Sequence, residues 1–134
     1  MMLIKTIVRP SMIPNAGLGC FSVDFVPKDT LLWKFNPDFD RVYTKAEFAA
    51  LELPAQEFIE YYGYKFRGLY YLSCDNTHYI NHSEHPSMYA DESGLLAYAA
   101  KDIQPDEELV DDYRSFGVTE DDHDFNLSWY RTFI

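Results

Sequence analysis

Cysteine is scarce in this chain: Cys20 and Cys74 are the only two among 134 residues. Two cysteines cannot build a four-cysteine zinc site. Without a secretion signal they read as reduced thiols rather than a disulfide framework. Long apolar runs are missing too. No stretch approaches the roughly 20 apolar residues of a membrane span, so no membrane association is expected. The first ten residues carry Lys5 and Arg9 and no apolar core, unlike a signal peptide. The expectation is an intracellular, cytoplasmic protein, or a nuclear, chromatin-bound one should its host or site of action be eukaryotic. Basic residues are few, 11 against 22 acidic ones, for a formal net charge of −11. Such a chain repels phosphate backbones, so direct nucleic-acid binding is not expected. The same field attracts a basic partner, although acidity also serves plain solubility.

Several catalytic schemes are absent. Gly17-Leu18-Gly19 is followed by Cys20, Phe21 and Ser22, without the third glycine of a dinucleotide fingerprint. No Gly-Lys-Ser/Thr loop and no glycine-flanked nucleophilic serine occurs. His78, His82, His85 and His123 do not fall at a helical zinc spacing, and no metal is expected. A cysteine-dependent hydrolase using Cys20 or Cys74 has no supporting histidine spacing.

What is present is apolar and aromatic. Hydrophobic residues reach 47%, with 11 Tyr and 10 Phe, far above a disordered chain, so one globular domain over residues 1–134 is expected. Proline and glycine recur closely from Pro10 to Gly117, leaving room mainly for short strands at 3–8, 18–22, 30–35, 69–73, 88–91 and 95–99. Thr44-Lys45-Ala46-Glu47 reads as a capping box before a helix that shows Phe48 and Leu51 on one face and ends at Pro54. Another helical turn or two is expected over 56–62. The tail, with Thr119-Glu120-Asp121-Asp122 and then Phe125, Trp129 and Phe133 at four-residue spacing, predicts a short helix. The fold class is mainly β with a short helical insert.

Two segments carry candidate chemistry. Tyr79-Ile80-Asn81-His82-Ser83-Glu84-His85-Pro86 puts polar side chains after an apolar pair; they either cap turns or serve a site. From the turn at Pro105-Asp106, Glu107-Glu108-Leu109-Val110-Asp111-Asp112-Tyr113 runs strand-like to a tyrosine beside two carboxylates. A tyrosine hydroxyl, of reference pKa about 10, donates or accepts at neutral pH without ionising. An acidic loop with a core tyrosine is the alternative.

Taken in order, Ser11-Met12-Ile13-Pro14-Asn15-Ala16-Gly17-Leu18-Gly19-Cys20-Phe21-Ser22, then Ile80-Asn81-His82-Ser83, then Glu107-Glu108-Leu109-Val110-Asp111-Asp112-Tyr113 resemble the motifs of the SET-domain methyltransferase family. The resemblance covers residues 4–116. It implies a β-clip of small curved sheets with a pseudoknot, S-adenosyl-L-methionine as methyl donor, and a lysine side chain of a basic protein or peptide as acceptor. By the same resemblance the cofactor contacts are Gly17, Leu18, Gly19, His78, Asn81, His82 and Tyr113, with Trp129 of the tail as a candidate lid. Tyr113 matches the catalytic tyrosine, and Tyr71, Tyr79 and Asp111 are candidates for the substrate channel. Oligomeric state is left open, a homodimer being compatible.

Departures from the family pattern are specific. Glu84 replaces the cysteine that often follows Asn-His-Ser, and no cysteine follows Tyr113, so the zinc module of many members is not expected. Ser87 replaces the asparagine after the proline, and Asp111 replaces the aromatic that helps set methyl number in several members. These changes leave the number of methyls open and favour an atypical acceptor. The other function carried forward is a catalytically idle SET-like module that binds partners through an acidic, aromatic-rich face.

Overall fold

The computed structural model describes residues 1–115. Among these residues ten short strands form three small sheets around one core. β1 (Thr6–Pro10) and β2 (Leu18–Ser22) are an antiparallel pair, with Thr6 opposite Ser22 and Pro10 opposite Leu18. β3 (Leu31–Lys34) pairs with β9 (Leu96–Ala99), which also pairs with β8 (Met88–Ala90). β4 (Arg41–Tyr43) and β5 (Tyr64–Phe66) flank β6 (Leu69–Leu72). The expected strands match β1, β2, β3, β6, β8 and β9 to within a few residues at their ends. β4, β5 and the two-residue β7 (Asn81–His82) are additional.

The helical insert differs from the expected one at its proline. The Thr44 capping box forms: Glu47 N–H donates to Thr44 Oγ1 at 3.1 Å and Thr44 N–H to Glu47 Oε2 at 2.8 Å. Helix α1 (Lys45–Ala49) then stops before reaching Pro54, while Pro54 lies in the first turn of α2 (Leu53–Tyr62). Proline lacks an N–H, and the first helical turn is where none is needed, so it starts this helix instead of ending the other. Phe48 is buried against Tyr70, with rings parallel at 4.0 Å.

The last strand ties the sheets together. β10 (Glu108–Asp111) lies between β2 and β7, antiparallel to the first and parallel to the second. The loop after β7 also closes on it. Ser83 N–H donates to Asp111 O at 3.0 Å, and Ser87 N–H to Val110 O at 2.9 Å. Ser87 Oγ accepts from Val110 N–H at 2.9 Å. β10 is thereby bonded on both edges by chain that precedes it, which is the pseudoknot. Its inward face carries Leu109, in a core with Cys20, Leu32, Ile80, Met88 and Ile103.

Both cysteines are free, Cys20 buried and Cys74 exposed. Burial pushes the Cys20 thiol up to about 12, so it is a packing residue and not a nucleophile. Among the described residues no helix is long and apolar enough to cross a membrane. No cluster of three or more His, Cys, Asp or Glu suited to a metal ion occurs among them either. The expected tail helix with Phe125, Trp129 and Phe133 lies outside the described residues.

Candidate active site

Alternation along β10 sends its side chains to two places. In a strand, residues i and i+2 share a face, and partners across a ladder share that face too. Glu108 and Val110 therefore look one way with Asn81, and Leu109 and Asp111 the other way with His82. The first face meets the turn ahead of β2; the second meets the core.

On the first face Glu108 is the organising group. Its Oε1 accepts from Ser11 Oγ at 2.7 Å and from Asn81 Nδ2 at 3.2 Å, and its Oε2 accepts from Met12 N–H at 2.8 Å. Asn81 Nδ2 also donates to the Leu18 carbonyl at 2.9 Å. One carboxylate thus joins the turn over residues 11–17, the Asn-His strand and β10. Gly19 is what lets it in: a Cβ there would lie 2.4 Å from Glu108 Oε1. Gly17 serves differently. Its φ of +75° is a left-handed conformation that a side chain disfavours, and the space a Cβ would fill is open. Its backbone is exposed to whatever lies there.

On the second face His82 and Tyr113 are paired. Tyr113 N–H donates to His82 Nδ1 at 3.2 Å, and the two rings lie 5.5 Å apart. Burial lowers the His82 pKa, which favours the neutral ring that an accepting Nδ1 requires. The Tyr113 hydroxyl donates to the Ile80 carbonyl. Asp111, opposite His82 in the ladder, is buried with only 4% of its surface exposed. Its Oδ1 has no hydrogen-bond partner among the described residues. Burial pushes its carboxyl up to about 7, and the neighbouring Asp112 charge adds to this.

The fold therefore brings Gly17, Leu18, Gly19, Asn81, His82, Asp111 and Tyr113 to the two faces of one strand junction. His78 and Tyr79 sit just before it, in a single 3-10 turn (Asn76–Tyr79) packed on β1 and β2. The His78 ring lies 5.7 Å from Phe58 and 5.2 Å from Tyr62 of α2. Its Nε2 is buried without a hydrogen-bond partner among the described residues, and desolvation lowers its pKa. Tyr79 packs on the core and faces Tyr62 at 6.2 Å. Tyr71 lies on β6, with its ring stacked on Tyr64 at 5.0 Å and edge-on to Phe35 at 5.4 Å. Trp129 lies outside the described residues.

Sequence reasoning assigned no role to Glu108 or Ser11. The available signal was an acid in a strand, one residue from buried Leu109, with a serine as the first polar residue of the opposing turn.

The comparisons with known proteins bear on the family and the fold. The SET domain family model matches residues 17–114, and the chain belongs to that family. A Plasmodium falciparum protein described as a candidate histone methyltransferase shares the fold with a TM-score of 0.58 and 20% identity, over 89% of this chain and 98% of that one. Two structures of the Chaetomium thermophilum Polycomb Repressive Complex 2 superpose with a TM-score of 0.66 over 96% of this chain. One is an apo form at 16% identity, the other an autoinhibited form bound to S-adenosylmethionine at 15%. This chain spans only 16% and 17% of those longer chains. No curated protein matches in sequence. The class is that of the SET methyltransferases, and the fold is the SET-domain fold.

Proposed function

We propose that this chain is an S-adenosylmethionine-dependent protein-lysine N-methyltransferase. The observation that carries the reading is the junction itself. Tyr113, just after β10, has its backbone bonded to His82 and its hydroxyl to Ile80, while the other face of that strand is tied through Glu108 to Ser11 and Asn81, and through Asn81 to the Leu18 carbonyl.

The residues suit such a donor. An uncovered glycine backbone in open space can meet a ligand closely. When bound, S-adenosylmethionine supplies an electrophilic methyl on a positively charged sulfur. The protein's work is then alignment and exclusion of water. Tyr113 is held at both its N–H and its hydroxyl, so its oxygen has a fixed position. A hydroxyl that donates its proton keeps its oxygen as an acceptor. An amine that donates an N–H to that oxygen is oriented with its lone pair directed away from it. A cationic sulfur beside the site also favours the neutral amine over the ammonium.

Net charge of −11 supports a basic protein as the acceptor. The test is labelled-methyl transfer by the purified chain to a pool of recombinant core histones and bacterial lysate protein. Tyr113→Phe is expected to slow transfer by about 100-fold or more while cofactor affinity survives. Label found on no protein, or an undiminished rate in the variant, contradicts the reading.

A further inference from the structure

Burying a carboxyl group ordinarily requires a cation or a set of donors to replace its water. Asp111 has little of that compensation: the Asp112 backbone N–H donates to its carboxylate and holds its pKa down in part. It is 4% exposed, and its Oδ1 meets no donor among the described residues. The nearby cation is committed elsewhere: Arg114 pairs with Asp112 at 2.8 Å and with Glu84 at 3.1 Å. The strands packed against β10 carry Cys20 on β2, His82 on β7 and Tyr89 on β8 as their titratable groups. None of these is a cation in the resting protein. Cys20 is a thiol, Tyr89 a phenol, and His82 uses Nδ1 to accept from Tyr113 N–H while burial disfavours its protonation. The charge that does act on Asp111 comes from Asp112, and it is negative.

We propose that Asp111 accepts the proton of the incoming substrate ammonium, delivering the neutral amine to Tyr113. This rests on the methyltransferase reading above and adds a second catalytic residue to it. The placement follows from the ladder. Asp111 shares a face with His82, whose ring lies 5.5 Å from that of Tyr113, and with Leu109, which packs in the core beside Ile80. Tyr113 donates its hydroxyl proton to the carbonyl of that same Ile80. Asp111 and Tyr113 thus both adjoin His82 at the β7–β10 junction, the carboxyl through the ladder and the phenol through its ring and backbone.

The step balances simply. An N–H bond of the ammonium breaks, an O–H bond forms on the Asp111 carboxylate, and the electron pair stays on nitrogen. The ammonium supplies the cation that the buried carboxylate lacks, and the proton leaves to water afterwards. A lysine ammonium ordinarily titrates near 10.4. Entry into a water-poor site lowers that value, and burial has raised the carboxyl to about 7, so the two approach each other.

The test compares the full chain with Asp111→Asn across pH. Wild-type transfer to the pool of core histones and lysate protein should rise as pH passes through about 7, where the carboxylate forms. The variant should be about 100-fold slower near neutrality, with the gap closing toward pH ~10 as the free amine supplies itself. Cofactor affinity, read by calorimetry, should be unchanged. Independently of activity, carbon-detected NMR of the side-chain carboxyls should show one group titrating near 7 that vanishes in the variant. A constant rate ratio at all pH, or no carboxyl titrating above about 5, overturns the assignment while leaving the methyltransferase reading standing. A wild-type chain that binds no cofactor removes that reading, and the base with it.

Discussion

Replacing Asp111 by asparagine keeps the shape of a buried side chain and removes its ability to ionise. The structure gives this a definite consequence for stability. Burial raises the carboxyl from 3.8 to about 7. A group whose pKa is raised in the folded state contributes stability that is complete below its unfolded value and is lost as pH rises through the folded one. The three-unit shift corresponds to about 4 kcal/mol at 1.36 kcal/mol per unit, of which about 3 kcal/mol is lost between pH ~4.5 and pH ~8. The variant has no such loss. In a domain of this size 1 kcal/mol moves Tm by several degrees. The Tm of Asp111→Asn relative to wild type should therefore climb by on the order of 10 °C across that interval. The asparagine amide brings its own donors, which impose a cost independent of pH, so the diagnostic is the slope and not the offset. Circular-dichroism melts of both proteins in matched buffers suffice. A Tm difference that stays flat with pH refutes the buried, raised carboxyl. The variant would be more stable in alkali and less active, the trade expected where a strained group serves a site.

Two further substitutions test the clamp and the knot. Gly19→Ala places a Cβ 2.4 Å from Glu108 Oε1, so it should break the carboxylate's contacts, lower stability by about 1–3 kcal/mol in denaturant titration, and weaken cofactor affinity; an unchanged affinity would separate the clamp from the site. Ser87→Ala removes the hydroxyl that accepts from Val110 N–H at 2.9 Å in a fully buried position, and should cost about 1–3 kcal/mol by leaving that N–H unpaired, which amide hydrogen exchange at Val110 would register directly.

Much of this molecule was legible in its letters, for physical reasons. Pro and Gly spacing revealed the short strands, because these residues interrupt both helices and ladders. The Thr44 capping box was readable because it is a local interaction between residues three apart. Pro54 begins α2 where the letters suggest an end, because a proline that ends one helix and a proline that begins the next look alike in sequence. β7 was invisible as a strand because two residues, Asn81 and His82, hold their place through β10, nearly thirty positions away. Glu108 was hidden for the same reason: its partners Ser11, Met12 and Asn81 come from two distant segments. Tyr71, a channel candidate through the resemblance, has ring contacts with Phe35 and Tyr64, which come from other segments of the chain and which no local pattern could announce. Asp111 could be flagged as unusual from sequence, but its burial and its unused oxygen are properties of the fold alone.

Binding of S-adenosylmethionine to the purified chain, measured by titration calorimetry, tests the account where it is most exposed. One site per chain is expected, with affinity reduced when Gly19 is changed and retained when Tyr113 is changed to phenylalanine. No heat and no thermal stabilisation at millimolar ligand would contradict it.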